Sequence, residues 1–199
     1  MTPARHLIVF ARLPRLGTLK RRLAAGIGDQ AALAFYRNAL FALLRRLGRG
    51  PWQCWIALTP DGGVHRARWP RPWRVFDQGR GDLGRRMARA IASRPPGPTI
   101  IVGSDIPDIA STHIEEAFRA LGRADAVFGP AEDGGYWLVG CRRRPELAEM
   151  FDRVRWSSKY ALADTMKNLR GRRTQVLNRV LDDIDDVAAY ARWRARRPG

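Results

Sequence analysis

Short, unbroken apolar runs recur along this chain, each too brief for a free-standing helix and too apolar for a strand with one wet face. "HLIVFAR" (6–12), "WQCWIAL" (52–58), "TIIVG" (99–103), "DAVFGPA" (125–131) and "GGYWLVG" (134–140) are the strongest; "WRVF" (73–76) and "TQVLN" (174–178) are weaker. Strands apolar on both faces must be covered on both faces, the condition of a parallel sheet between helices. The intervening stretches supply those helices. From Asp29, residues Leu33, Tyr36, Leu40, Leu43, Leu44 and Leu47 fall at three-and-four spacing, with Asp29 as N-cap and Gly48 at the end. Asp82 opens "GDLGRRMARAIAS" as a cap, and Thr112 and Glu115 have capping-box spacing in "STHIEEAFRAL". Further helices are expected at 145–151, 158–170 and from Asp186. This alternation predicts an α/β three-layer sandwich with a mostly parallel central sheet. We expect one domain over 1–199, with the basic tail from about residue 193 frayed.

Charge narrows the function classes. The 199 residues carry 36 basic and 19 acidic side chains, a formal net charge of +17, which suits a polyanionic partner. The basic residues are nearly all arginine, with lysines at 20, 159 and 167, and they are dispersed over expected helices. No helix-turn-helix, zinc-finger or aromatic-plus-basic RNA-binding signature accompanies them, so a solvated surface is the expectation and nucleic acid is not an expected partner. No apolar run approaches the ~20 residues that span a bilayer, and the apolar centre of "MTPARHLIVFARLPR" is too short for a signal peptide. Membrane insertion is not expected, and the cytoplasm is the expected location. Cys54 and Cys141 sit in strand-like segments without metal-ligand neighbours and read as small buried hydrophobes. Oligomeric state is open; Trp52, Trp55, Trp69 and Trp73 would furnish an interface if exposed.

Three segments offer chemistry. In open α/β sheets ligands bind beyond the carboxyl ends of the strands, and Asp105 follows "IIVG" at such an end, on a turn restricted by Pro107. Ordering of the loop by an Asx-type bond is the alternative for Asp105 and for Asp108. In "GPAEDGGYWLVG", Asp133 occupies a comparable place before Gly134 and Gly135, which permit close approach of a ligand or backbone; a plain hairpin turn is the alternative. Asp105 and Asp133 together suit Mg²⁺ or Mn²⁺, hard ions that take oxygen ligands and bridge to phosphate. In "ARLPRLGTLKRRLA", Arg12, Arg15, Lys20 and Arg22 flank Gly17 in a loop leading to a helix, where backbone amides and cations meet phosphates; the spacing is not that of a Walker loop.

These segments, with "QGRGDLGRRM" and "RWSS", occur in an order and at separations that resemble the small bacterial nucleotide-diphospho-sugar transferase-like family, over residues 6 to 187. "GPAEDGGYWLVG" paired with "GSDIPD" is the most specific part; "DIDD" at 183–186 resembles the family's closing acidic turn less closely. The resemblance implies a glycosyltransferase A fold, shared with molybdopterin and phospholactate nucleotidyltransferases. It implies a nucleotide over the loop of the first strand, with Arg12, Gly17, Lys20 and Arg22 at its phosphates and Gly81 and Asp82 near base or ribose. It also implies Asp105 at the metal. Lys20 and Arg22 would then neutralise the leaving group, Asp133 would orient or deprotonate the acceptor, and Gly134, Gly135, Tyr136 and Trp156 would line an acceptor or sugar pocket. Two positions depart from the family pattern: Arg21 stands where threonine is usual and Leu16 where proline is usual. The serines of Trp156-Ser157-Ser158 have no role legible from the sequence beyond an N-cap at Ser158. The expected function is glycosyl transfer from a nucleotide diphosphate sugar to a small-molecule acceptor. Transfer of NMP from an NTP to a phosphorylated metabolite is the alternative, and a non-catalytic nucleic-acid binder is a third.

Overall fold

The computed structural model describes residues 4–63, 68–142 and 149–196. Seven strands, β1 (His6–Arg12), β2 (Gln53–Thr59), β3 (Arg74–Asp77), β4 (Thr99–Gly103), β5 (Ala126–Pro130), β6 (Tyr136–Cys141) and β7 (Thr174–Val176), form one sheet in the order β3-β2-β1-β4-β6-β5-β7. All neighbouring pairs are parallel except β4 with β6 and β5 with β6. The exception follows from chain length, because the short 131–135 turn cannot make the crossover of a dozen or more residues that a parallel return requires. Antiparallel β6 therefore starts where its neighbours end, and Tyr136 pairs with Pro130 at the carboxyl rim of the sheet.

Helices α1 (Arg21–Ile27), α2 (Asp29–Leu47), α3 (Leu83–Ala92), α4 (Ser111–Ala120), α5 (Ala161–Asn168) and α6 (Val187–Ala195) complete the fold. The period-2 geometry of a strand divides each apolar run between two cores. Leu7 and Val9 of β1 and Ile100 and Val102 of β4 pack with Leu40, Leu43 and Leu44 of α2 and Ile114 and Phe118 of α4. Ile8 and Ile101 face the other way, against Met87 and Ala90 of α3 and the partly buried Leu162 and Met166 of α5. This is the expected three-layer α/β sandwich. A smaller cluster of Leu23, Phe35 and Ile184, with Tyr190 and Trp193 half-buried against it, docks α1 and α6 on α2. α6 thus continues through residues 193–195 of the stretch expected to fray; Trp193 lies edge-on to Phe35 with ring centroids 5.2 Å apart. No helix among the described residues is long and apolar enough to cross a membrane.

Several local expectations are corrected. Asp29 is the first helical residue of α2, and Gly28, at φ 85°, takes the cap position; the carboxylate still complements the dipole from the first turn. α4 is capped through His113, whose Nδ1 accepts the Ala110 N–H at 3.1 Å, so Thr112 and Glu115 form no capping box. Ser158 belongs to the turn before α5, accepting the Tyr160 N–H, while Tyr160 takes the N-cap position. Most of the helix expected at 145–151 lies outside the described residues, and 149–153 form turns. Asp82 and Asp186 do cap α3 and α6, accepting the Arg85 and Ala189 N–H groups at 2.8 Å each. Both cysteines are buried and neither forms a disulfide.

The tryptophans do not form an exposed surface. Trp52 and Trp73 are buried because their indole N–H groups satisfy carbonyls at the end of α2, donating to Leu47 and Leu44 at 2.8 and 2.9 Å. Trp55 and Trp69 are half-buried, Trp69 stacked on Phe41. Replacing Trp73 by Phe keeps most of the packing and leaves the Leu44 carbonyl without this buried donor. The expected cost is about 1–2 kcal/mol, read as a lower denaturant midpoint at unchanged slope.

Candidate functional site

The residues beyond the carboxyl ends of β1 and β4 meet at one point. Lys20 caps the N-terminus of α1 in a left-handed conformation, φ 49°, which drives its side chain inward until only 5% of it is exposed. Its Nζ donates to Asp105 Oδ2 at 2.8 Å and to Asp185 Oδ1. Burial alone would lower the lysine pKa; the two carboxylates overcome this and raise it, so Lys20 is a fixed cation. Asp105 sits in the turn after β4. Its carbonyl accepts the Ile184 N–H at 3.2 Å, and Ile184 is buried in the α1/α2/α6 cluster, so Asp183 and Asp185 are held on either side of an anchored residue.

Carboxylate oxygens of Asp105, Asp183 and Asp185 all lie within 4.8 Å of one another. One ammonium does not balance three such groups. Protein packed around the Asp183 carboxyl, followed by the charges of Asp105 and Asp185 and, more weakly, Asp133, pushes its pKa up to about 7 despite the opposing pull of Lys20. By accessible surface Asp183 is exposed, and screening by water limits the energy involved. An all-oxygen donor set with surplus negative charge fits a hard divalent cation better than it fits zinc or a soft metal. Asp133 stands beside this trio without joining it; its Oδ1 accepts the Gly135 N–H at 2.8 Å in the turn between β5 and β6.

Tyr36 of α2 braces the rim from below. Its hydroxyl accepts the Arg12 N–H at 2.9 Å and lies 3.1 Å from the Arg12 carbonyl and 3.0 Å from Ser104 Oγ, so it ties the end of β1 to the turn carrying Asp105. Burial pushes its pKa up to about 12, which keeps it a neutral hydrogen-bonding group.

Two adjoining cavities open on this rim. The larger, about 780 Å³, runs from Asp105 and Asp185 past Arg12, Lys20, Arg21 and Arg22 to Gln78 and Arg86. Buried Gln78 donates to the carbonyls of Ala11 and Ala57 and accepts from Arg86 at 2.8 Å, fixing that guanidinium over the ends of β1 and β2. The smaller, about 240 Å³, has Tyr136, Trp137 and Trp156 among its walls. Asp105, Asp133, Asp183, Leu83 and Ser157 border both. Ser157 is held at φ 56°, a second non-glycine residue in left-handed geometry at this site, where such strain is commonly concentrated.

Of the residues singled out in the sequence, Arg12, Lys20, Arg22, Asp105 and Asp133 gather at the larger cavity, and Gly135, Tyr136 and Trp156 at the smaller. Gly17, Gly81, Asp82 and Gly134 line neither. The Asp82 carboxylate is occupied as the α3 cap, and Gln78, Leu83 and Arg86 are the members of its segment that reach the cavity. Gly134 is needed for packing: at φ 81°, a Cβ there would stand 2.2 Å from the Lys159 carbonyl oxygen. The Gly134 carbonyl also accepts the Leu162 N–H, which seats the turn carrying Ser157 and Ser158 against the β5–β6 hairpin. Sequence reasoning missed Asp183 and Asp185 as partners of Asp105, Tyr36 as a polar brace, and the Gln78–Arg86 pair. The first had a signal: "DDIDD" places four of 19 acidic residues within five positions of a strongly basic chain.

Residues 43–158 match the model of a family described as "Uncharacterized protein conserved in bacteria (DUF2064)". The chain belongs to this family. A search of the curated proteins found no match. Among solved structures, one described as a "putative nucleotide-diphospho-sugar transferase" from Desulfovibrio desulfuricans G20 is similar at 28% identity and a TM-score of 0.86, covering 94% of this chain and 84% of that one. Rv0371c of Mycobacterium tuberculosis H37Rv, in a complex with manganese, shares the fold at 19% identity and a TM-score of 0.59, with 96% and 98% covered. 4-Diphosphocytidyl-2C-methyl-D-erythritol synthase from Anaerococcus prevotii DSM 20548 shares it at 10% identity and a TM-score of 0.63, with 98% and 99% covered. The fold is that of the nucleotide-diphospho-sugar transferases, as the sequence resemblance implies.

The raised pKa of Asp183 has a testable sign. Between its unfolded value near 4 and its folded value near 7 the native state binds the extra proton, so this group's contribution to stability falls as pH rises through that window. With divalent ions chelated, Asp183→Asn is expected to raise the melting midpoint at about pH 8 and to change it little at about pH 4. Equal shifts at both pH values would show that the carboxylate crowd does not act as described. Gly134→Ala, by contrast, is expected to destabilise the protein by more than about 1 kcal/mol, because the added carbon meets backbone at positive φ.

Proposed function

We propose that the protein transfers a glycosyl group from a nucleotide diphosphate sugar to a small acceptor. The observation carrying this reading is the meeting of a cation-walled cavity and an aromatic-walled cavity at one carboxylate cluster. The larger has room for a nucleotide, and Arg12, Lys20, Arg21, Arg22 and Arg86 offer its phosphates forked and point-charge donors. Asp105, Asp183 and Asp185 would hold Mg²⁺ or Mn²⁺, which when bound neutralises charge on diphosphate oxygens. The description of the Desulfovibrio relative and the manganese in the mycobacterial structure support both parts.

In this reading the acceptor oxygen bonds to the anomeric carbon as the bond from that carbon to the phosphate oxygen breaks. The electron pair leaves with the nucleoside diphosphate, whose growing charge Lys20 and the arginines stabilise. The acceptor proton passes to Asp133, which borders both cavities. A nucleotide-sugar donor and two buried cysteines outside any disulfide suit a cytoplasmic setting. Nucleotidyl transfer from an NTP is the second reading, favoured by the architecture shared with the diphosphocytidyl-methylerythritol synthase.

Melting the protein with nucleotide sugars and with NTPs, with and without Mn²⁺, tests the reading, since a ligand at 100 times its Kd adds about 2.7 kcal/mol of stability. A metal-dependent rise with a nucleotide sugar is expected, followed on turnover by release of nucleoside diphosphate; pyrophosphate release would select the second reading. Asp105→Asn is expected to raise the Mn²⁺ concentration needed at least ~10-fold while the protein stays folded. Absence of any metal-dependent nucleotide effect on the intact protein would exclude both transfers.

A further inference from the structure

Lys20 is claimed twice. A leaving diphosphate needs its ammonium, yet in this structure Nζ is already spent on Asp105 Oδ2, at 2.8 Å, and on Asp185 Oδ1. Those two residues supply two of the three carboxylates that gather within 4.8 Å. A divalent ion taking the same oxygens, through bonds of about 2.1 Å for Mg²⁺, has to share them with an ammonium or displace it. Sharing is unfavourable. The two cations would be near neighbours, and a side chain only 5% exposed gives water little room to screen their repulsion.

The surroundings give Nζ somewhere else to go. Lys20 borders the larger cavity together with Thr18, Leu19, Arg21 and Arg22, so its flexible four-carbon stem can turn between the carboxylates and that space. Its backbone need not move. The Lys20 carbonyl accepts the Ala24 N–H at 2.7 Å, and the preceding Leu19 is buried, which pins the Cα at the start of α1. Of the five cations lining the larger cavity, Lys20 alone is in an ion pair among the described residues, and both of its partners belong to the carboxylate cluster. A link between the cation site and the phosphate side of the cavity therefore runs through this one side chain.

We infer that Lys20 is an exchangeable counter-ion, which neutralises Asp105 and Asp185 in the free protein and gives them up to a divalent cation as it turns to phosphate in the larger cavity. This exchange presupposes the metal and the phosphate ligand of the proposed function. It adds that the two bind with positive coupling, each raising the other's affinity by the same factor. A rival role for Lys20 is that of a brace, holding the two carboxylates in place for the ion. The roles differ in sign: removing a competitor tightens metal binding, and removing a brace weakens it.

Titration of the intact protein with Mn²⁺ alone, followed by the electron spin resonance of the free ion, reads that sign. Lys20→Met, which keeps the length of the stem and removes the charge, is expected to bind Mn²⁺ at least ~10-fold more tightly than the wild type, whereas Lys20→Arg, which keeps the charge, is expected to gain nothing. A second measurement needs no variant. Lys159 and Lys167 are exposed and serve as internal standards for acetylation by acetic anhydride, read by mass spectrometry. Lys20 is expected to react slowest in the free protein, and saturating Mg²⁺ to speed its acetylation at least ~10-fold relative to the other two. Unchanged or weaker Mn²⁺ binding by Lys20→Met, no Mn²⁺ binding by either protein, or acetylation of Lys20 indifferent to Mg²⁺ overturns the exchange. If wild-type melting still rises with a nucleotide sugar and Mn²⁺ in that event, only the exchange is lost; the absence of any nucleotide effect removes the transferase reading instead.

Discussion

The site depends on one ammonium group. Lys20 joins Asp105, 85 residues away in sequence, to Asp185, 165 residues away, and so connects the loop after β1, the turn after β4 and the segment leading into α6. The long spans mean that nothing local holds these pieces together. Their entropy of closure is met by the two-sided core, and Lys20 registers them once that core has formed. A left-handed lysine is an unfavourable local choice, costing on the order of 1–3 kcal/mol, and it persists because packing beneath α1 and two carboxylates fix the side chain. The arrangement is also unfinished in charge: Asp183 is crowded by the same two carboxylates without an ion pair of its own among the described residues.

Scaffold geometry explains why these groups share a rim. Parallel β1, β2 and β4 all end on one side, so Arg12, Thr59 and the turn carrying Ser104 and Asp105 come together without any further device. β6 runs the other way and contributes its beginning, which brings the hairpin carrying Asp133 and Gly135 to the same edge and places Tyr136 beside them. Gly134 then admits the backbone of Lys159, and that close approach lays Trp156 and Ser157 across the opening. Each wall of the smaller cavity thus comes from a different segment, positioned by sheet direction, by a turn or by the missing side chain of a glycine.

The elements legible in advance were those whose determinants are local. Apolar runs of strand length located all seven strands to within a residue or two, and Asp82 and Asp186 marked helix starts because capping is decided within one turn. Asp105 was legible because its position after a buried strand has meaning in any α/β sheet. Asp183 and Asp185 were not, because their partnership with Asp105 arises from where Ile184 is buried, and burial at that distance leaves no periodicity to read. Tyr36 shows the same limit. Its spacing marks it correctly as a core position, but spacing carries no information about where a hydroxyl ends up. Trp52 and Trp73 show a related limit: an indole that satisfies the end of a helix is spent internally, which composition does not reveal.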